Sequence, residues 1–82
     1  MRVFYFAWLR ERIGAGQEEV DTGGAETVAD LIDALKARDA RYAAAFEDLS
    51  AVRVALDQEQ ADFNAPLGGA SEIAFYPPVT GG

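Results

Sequence analysis

The segment with the most chemical promise is the last one, Tyr76-Pro77-Pro78-Val79-Thr80-Gly81-Gly82, which is expected to finish on a free carboxylate. Glycine has no Cβ, so Gly81 and Gly82 leave that carboxylate without steric bulk. An extended tail of this kind can thread a tunnel that any larger residue would block. Seven extended residues reach about 23 to 25 Å, enough to bury the tip in another protein while the folded part stays outside. Ordering such a tail costs on the order of 1 to 2 kcal/mol per residue, and Pro77 and Pro78 lower that cost by stiffening the chain beforehand. A frayed terminus with incidental glycines fits the same residues. The tail alone leaves both readings open.

The other side chains offer less. The chain has no cysteine and no histidine, which removes thiolate and imidazole chemistry together: the usual zinc ligands, the Ser-His or Cys-His nucleophilic pair, and a general base that titrates near neutral pH. An autonomous hydrolase is not expected. Asp57-Gln58-Glu59-Gln60-Ala61-Asp62 spaces three carboxylates like the opening of a calcium loop, but Asp62 stands where glycine is required and Gly68 where the closing glutamate belongs. No metal is expected there. The glycines never take a phosphate-loop spacing and read as turn residues. Glu18-Glu19 and Glu47-Asp48 are neighbours without an evident apolar pocket to raise a pKa, so they read as solvated faces.

Seven basic residues against fourteen acidic ones give a net charge of −7. That charge repels phosphate backbones and anionic lipids alike, so neither nucleic acid nor a membrane is an expected partner. It suits steering toward a basic protein surface, and it equally suits plain solubility. The apolar start, Met1 to Leu9, runs straight into Arg10-Glu11-Arg12 and reads as a strand, not a signal peptide. No apolar run approaches the roughly 18 residues that cross a bilayer. A cytoplasmic location is expected.

A scaffold must hold the tail, and 82 residues suffice for one domain. Positions 2 to 8 alternate Val3, Tyr5 and Ala7 against Arg2, Phe4, Phe6 and Trp8, which predicts a first strand apolar on most of both faces. A polar turn from Arg10 to Gly16 leads to a second, more exposed strand from Gln17 to Thr22. Thr27 caps a helix with Asp30 in its first turn, and Val28, Leu31, Ile32 and Leu35 form its apolar stripe. Tyr42 to Leu49 reads as a second short helix with Phe46 and Leu49 inward. A strand follows through Val52, Val54 and Leu56, then a very short strand between Asp62 and Pro66. Glu72 to Tyr76 is the last strand, stopped by two prolines. This order is that of a β-grasp, an α+β fold whose mixed sheet of four to five strands carries one main helix. First and last strands lie side by side in the middle, and the tail protrudes from one end. The domain is read as 1–76 and the tail as 77–82.

Phe6-Ala7-Trp8-Leu9-Arg10-Glu11 followed by Gly14, Thr27-Val28-Ala29-Asp30-Leu31, and Phe75-Tyr76-Pro77-Pro78-Val79-Thr80-Gly81-Gly82 together resemble the small subunits of molybdopterin synthase, the MoaD-like sulfur carriers of the ubiquitin-like β-grasp group. Two departures are visible. Asp57 stands where the family usually has asparagine before Gln-Glu, and Gly69-Ala70-Ser71 replaces its common Gly-Asp. The resemblance implies a cycle centred on Gly82. An E1-like (MoeB-like) enzyme uses ATP and Mg to adenylate the terminal carboxylate, and a sulfurtransferase supplies persulfide sulfur to make a thiocarboxylate. The large (MoaE-like) subunit then receives the tail so that the sulfur attacks cyclic pyranopterin monophosphate on the way to the dithiolene that holds molybdenum. The catalytic groups are expected on the large subunit, and this chain is expected to bind no cofactor itself. Phe75, Pro77, Pro78, Val79, Thr80 and Gly81 are the expected partner contacts. A ubiquitin-like protein modifier, or a sulfur carrier for thiamine or tRNA thiolation, is the alternative.

Overall fold

The computed structural model describes residues 1–78. Five strands, β1 (Arg2–Tyr5), β2 (Gln17–Glu19), β3 (Arg53–Leu56), β4 (Glu59–Ala61) and β5 (Glu72–Tyr76), form one mixed sheet in the order β2-β1-β5-β3-β4. β1 and β5 pair in parallel at its centre, with Val3 opposite Ile73 and Tyr5 opposite Phe75, while the remaining neighbours are antiparallel. This is the expected β-grasp arrangement. Alternation puts Val3, Tyr5, Val54, Ile73 and Phe75 on the covered face, where all five are buried.

The helix that covers them is α2 (Val28–Arg38), and its start is chemically well defined. The Thr27 side chain accepts a hydrogen bond from the Asp30 amide, and Asp30 Oδ2 accepts from the amides of Thr27 and Glu26. This complete capping box holds the Asp30 carboxyl below its ordinary pKa, chiefly through those two backbone donors. Val28, Leu31, Ile32 and Leu35 are all buried beneath the helix, as the spacing of the stripe requires.

Three parts of the chain depart from the sequence reading. The first strand stops at Tyr5, and the supposed polar turn is a helix, α1 (Trp8–Ile13). Leu9 and Ile13, one helical turn apart, are both buried, and Gly14 closes the helix in the left-handed conformation at φ 89°. The second short helix, α3 (Ala40–Ala45), begins earlier than expected because Asp39 caps it, its Oδ1 accepting from the Arg41 amide. Phe46 is buried as expected, whereas Leu49 opens a single 3-10 turn, Leu49–Ala51, and is only partly buried.

The third departure is β4, which lies at Glu59–Ala61 and not between Asp62 and Pro66. Asp57 and Gln58 form a two-residue hairpin turn, with φ of 48° and 72°. Glycine usually fills such positions, and its absence hides the turn in the sequence. The Asp57 carboxylate compensates by accepting from the amides of Ser71 at 2.9 Å and Glu72 at 3.0 Å, fastening the hairpin to the start of β5. Both departures from the family pattern, Asp57 and Ser71, thus meet in one contact. Gln58 has no such compensation among its hydrogen bonds. Replacing it by glycine is expected to stabilise the protein by about 0.5 to 1 kcal/mol, seen as a Tm rise of about 3 to 6 °C. A lower Tm would show that the Gln58 side chain contributes more than its backbone costs.

On the covered face, edge strand β2 is secured by Glu18. Tyr5 Oη and Tyr42 Oη donate to Glu18 Oε2 at 2.8 and 2.6 Å, and the Arg38 guanidinium stands 3.9 Å from Glu18 Oε1. Burial first, and the carboxylate second, push both phenols above their ordinary pKa, Tyr5 far more than Tyr42. Both therefore remain hydrogen-bond donors throughout the physiological range.

Candidate partner interface at the root of the tail

The parallel pairing of β1 with β5 determines what surrounds the tail. Both strands end at the same edge of the domain, so the turn after Tyr5 sits beside the end of β5 at Tyr76. The Phe6 amide joins them by donating to the Phe75 carbonyl at 3.1 Å. Arg53, opposite Tyr76 in the register, completes this edge from β3. Its guanidinium donates to the carbonyls of Ser50 and Val52.

The open face of the sheet carries the apolar surface leading to this edge. Register and alternation place Phe4, Ala74 and Ala55 in one row across three strands, with Tyr76 and Arg53 in the next row toward the tail. Phe4, Ala55, Ala74 and Tyr76 are half-buried. Phe6 is 48% exposed, the one large hydrophobic side chain so exposed among the described residues, and it stacks on Phe4 with ring centroids 6.4 Å apart. At the far end, around Arg2, Glu19 and Glu72, the same face becomes charged. The open face is thus graded, ionic at one end and aromatic at the tail root.

The backbone adds an unusual feature at the same place. Ala7, between strand β1 and helix α1, adopts φ 55° and ψ −132°, a conformation that costs a residue with a Cβ on the order of 1 to 3 kcal/mol. Its carbonyl accepts from the Arg10 and Glu11 amides, starting α1 without any side-chain cap. Trp8 follows, half-buried, with the Arg12 guanidinium 5.2 Å from its ring centroid.

Of the residues expected to meet a partner, Phe75 must be corrected. It is fully buried, packed edge-on against Phe46 at 4.9 Å and alongside Tyr5 at 6.1 Å between ring centroids. Strand alternation turns it inward and leaves Tyr76 outward, so Phe75 completes the core and offers no surface. Pro77 and Pro78 are half-buried and continue from β5. Val79, Thr80, Gly81 and Gly82 lie outside the described residues. Phe6 and Ala7 were not among the expected contacts, because the alternation of positions 2 to 8 assigned them to the first strand itself.

The described residues carry no convergent set of catalytic groups beside the tail root. No group of three or more His, Cys, Asp or Glu among them is placed to hold a metal ion, and no helix among them is long and apolar enough to cross a membrane. A surface cleft of about 550 Å³, beside Met1, Glu19, Glu26 and Leu67, lies at the opposite end of the sheet. What this site can supply is an apolar platform beside Pro77 and Pro78.

A family model carries that reading further: the ThiS family model matches residues 3–82, from the first strand through the final glycine. The chain belongs to the ThiS family. This member is 38% identical over 82 residues to the molybdopterin synthase sulfur carrier subunit of Escherichia coli (strain K12), covering 100% of this chain and 99% of that protein. Among solved structures it is similar to SAMP1 from Haloferax volcanii, at a TM-score of 0.73 and 30% identity over 100% of this chain and 98% of that one. It is also similar to a putative molybdopterin converting factor, subunit 1, from Pyrococcus furiosus. There the TM-score is 0.74 and the identity 25%, over 95% of each chain. These relatives share the ThiS member's ubiquitin-like β-grasp fold.

Proposed function

We propose that this chain is the sulfur-carrying subunit of a molybdopterin synthase, with Gly82 as its reacting residue. The observation that carries the reading is the full-length similarity to a molybdopterin synthase sulfur carrier subunit, in a chain whose only sulfur is the thioether of Met1. A thioether cannot be handed on, so transferable sulfur must reside on the terminal carboxyl group. An E1-like enzyme converts that carboxylate with ATP and Mg into an acyl adenylate, releasing pyrophosphate. Persulfide sulfur from a sulfurtransferase displaces AMP, and cleavage of the S–S bond by a thiol leaves the thiocarboxylate and a disulfide. On the synthase's large subunit the thiocarboxylate sulfur attacks cyclic pyranopterin monophosphate, and water cleaves the acyl–sulfur bond to regenerate the carboxylate. Two deliveries make the dithiolene. The acid–base groups and the substrate pocket belong to the large subunit, a MoaE-like partner, while Pro77, Pro78, Val79, Thr80 and Gly81 are the tail residues that would contact it.

Incubating the chain with an activating enzyme, ATP and a persulfide donor tests this directly by intact mass. The expected result is exchange of one oxygen for sulfur at Gly82, followed by loss of that sulfur in the presence of large subunit and pterin precursor. A terminus that stays a carboxylate under these conditions overturns the reading. The similarity to the H. volcanii small archaeal modifier protein 1 supports a second role as a protein modifier, which the same experiment in a cell extract would register as covalent adducts. Lys36 is this chain's only lysine, so adducts would be to other proteins far more than chains of itself.

The aromatic end of the open face should anchor the complex. Tyr76→Ala and Val79→Ala are each expected to weaken binding to the large subunit by roughly tenfold to thirtyfold, with Tm unchanged to within about 3 °C. The association rate should fall as salt rises, because the −7 charge steers encounter. Equal affinity of both variants and the parent would refute the anchor, and a salt-independent rate would refute steering.

A further inference from the structure

We propose that the Ala7 methyl group is a contact for the synthase large subunit, held outward by a backbone conformation that glycine would adopt more easily. The inference rests on the synthase reading above and identifies a positioning feature of it. Ala7 has φ 55° and ψ −132°, where a Cβ is sterically disfavoured and only glycine is at ease. Everything this residue does for its own fold is done by its backbone. Its carbonyl accepts the Arg10 and Glu11 amides, and the adjoining Phe6 amide donates to Phe75. The side chain is exposed. Glycine would supply the same hydrogen bonds without the strain, so the methyl group costs the isolated domain stability and returns nothing to it.

Its surroundings say where the return is made. Ala7 is flanked by Phe6, 48% exposed, and by half-buried Trp8, whose ring is braced by Arg12 at 5.2 Å. These three consecutive apolar residues stand beside the end of β5, fastened to it by the Phe6–Phe75 hydrogen bond. A protein that takes in the chain beyond Tyr76 must approach this corner. Exposed apolar residues grouped at one corner are the usual mark of a surface completed by another molecule. Phe6 supplies area, Trp8 a rigid wall, and the Ala7 methyl fills the space between them on the partner.

Ala7→Gly in the full-length chain provides the test, with Tm measured on the free protein and affinity measured against the large subunit. The expected outcome moves the two readouts in opposite directions. Tm rises by about 4 °C or more as the strain is released, while affinity falls by at least about fourfold, the worth of one buried methyl group, mainly through faster dissociation. A variant that binds as tightly as the parent overturns the contact, whatever its Tm. A variant with lower Tm overturns the premise of strain, and the proposal with it. Failure of the parent itself to bind the large subunit is a separate result that refutes the synthase reading and this inference together.

Discussion

Deleting Gly82, or appending one residue after it, is expected to lower sulfur transfer at least about 1,000-fold while Tm stays within about 3 °C of the parent. The size of the effect follows from where the chemistry sits. One added residue moves the reacting carbon by roughly 3.3 to 3.6 Å, and misplacement of a reacting group by about 1 Å already costs on the order of 100-fold. The small effect on Tm follows from the core, whose buried members among the described residues all lie between Val3 and Phe75. Gly81→Ala should fall between the extremes, because its added Cβ would obstruct a narrow tunnel that receives the tail without displacing the carboxylate. The measurement is reconstituted pterin dithiolene synthesis, with intact mass to establish that the extended chain has not been trimmed. An untrimmed extended chain that supports synthesis would remove Gly82 from its assigned role.

Phe75→Ala should produce the opposite pattern, a large loss of stability with no direct effect on binding. Truncating a buried phenylalanine costs about 3 to 5 kcal/mol. At about 0.05 to 0.15 kcal/mol per residue, 82 residues give a total stability of only about 4 to 12 kcal/mol. At the low end of that range the variant sits near its folding midpoint, and part of it is unfolded at 37 °C. Contacts with Phe46 and Tyr5 place this loss in the middle of the core. Denaturant titration gives the stability, and affinity corrected for the folded fraction should match the parent. A fully stable Phe75→Ala protein with impaired binding would return Phe75 to the interface.

Much of the scaffold was legible from local chemistry. The Thr27 cap and the i, i+3, i+4, i+7 stripe of α2 are signals that neighbouring residues carry by themselves, and the doubly apolar first and last strands pointed to the centre of a sheet. The misread parts were those where tertiary context overrides a local pattern. Phe6, Ala7 and Trp8 continue the alternation of a strand, yet Leu9 and Ile13, one helical turn apart before a glycine, mark α1 more reliably. The Asp57–Gln58 turn lacks its usual glycine because Asp57 is held from across the sheet by Ser71 and Glu72, a contact 14 and 15 residues away in sequence that no local window contains. At the site, the tail was visible as composition. Which aromatic near it faces inward depended on the parity of β5, and that parity follows from register with β1 and β3.

The position of β5 also governs when this protein can exist during its own synthesis. Among the described residues β5 is the last strand in sequence and the middle strand of the sheet, pairing with β1 across about seventy residues of sequence. Until Glu72 to Tyr76 emerge, β1 and β3 each present an unpaired edge, and the covered face lacks Ile73 and Phe75. Contacts so distant in sequence form slowly and require the whole chain to be free. A chain terminated before Glu72 thus cannot close its sheet. The strand that completes the sheet immediately precedes the tail, so a chain cut short before the tail root is expected to remain unfolded and exposed to proteolysis.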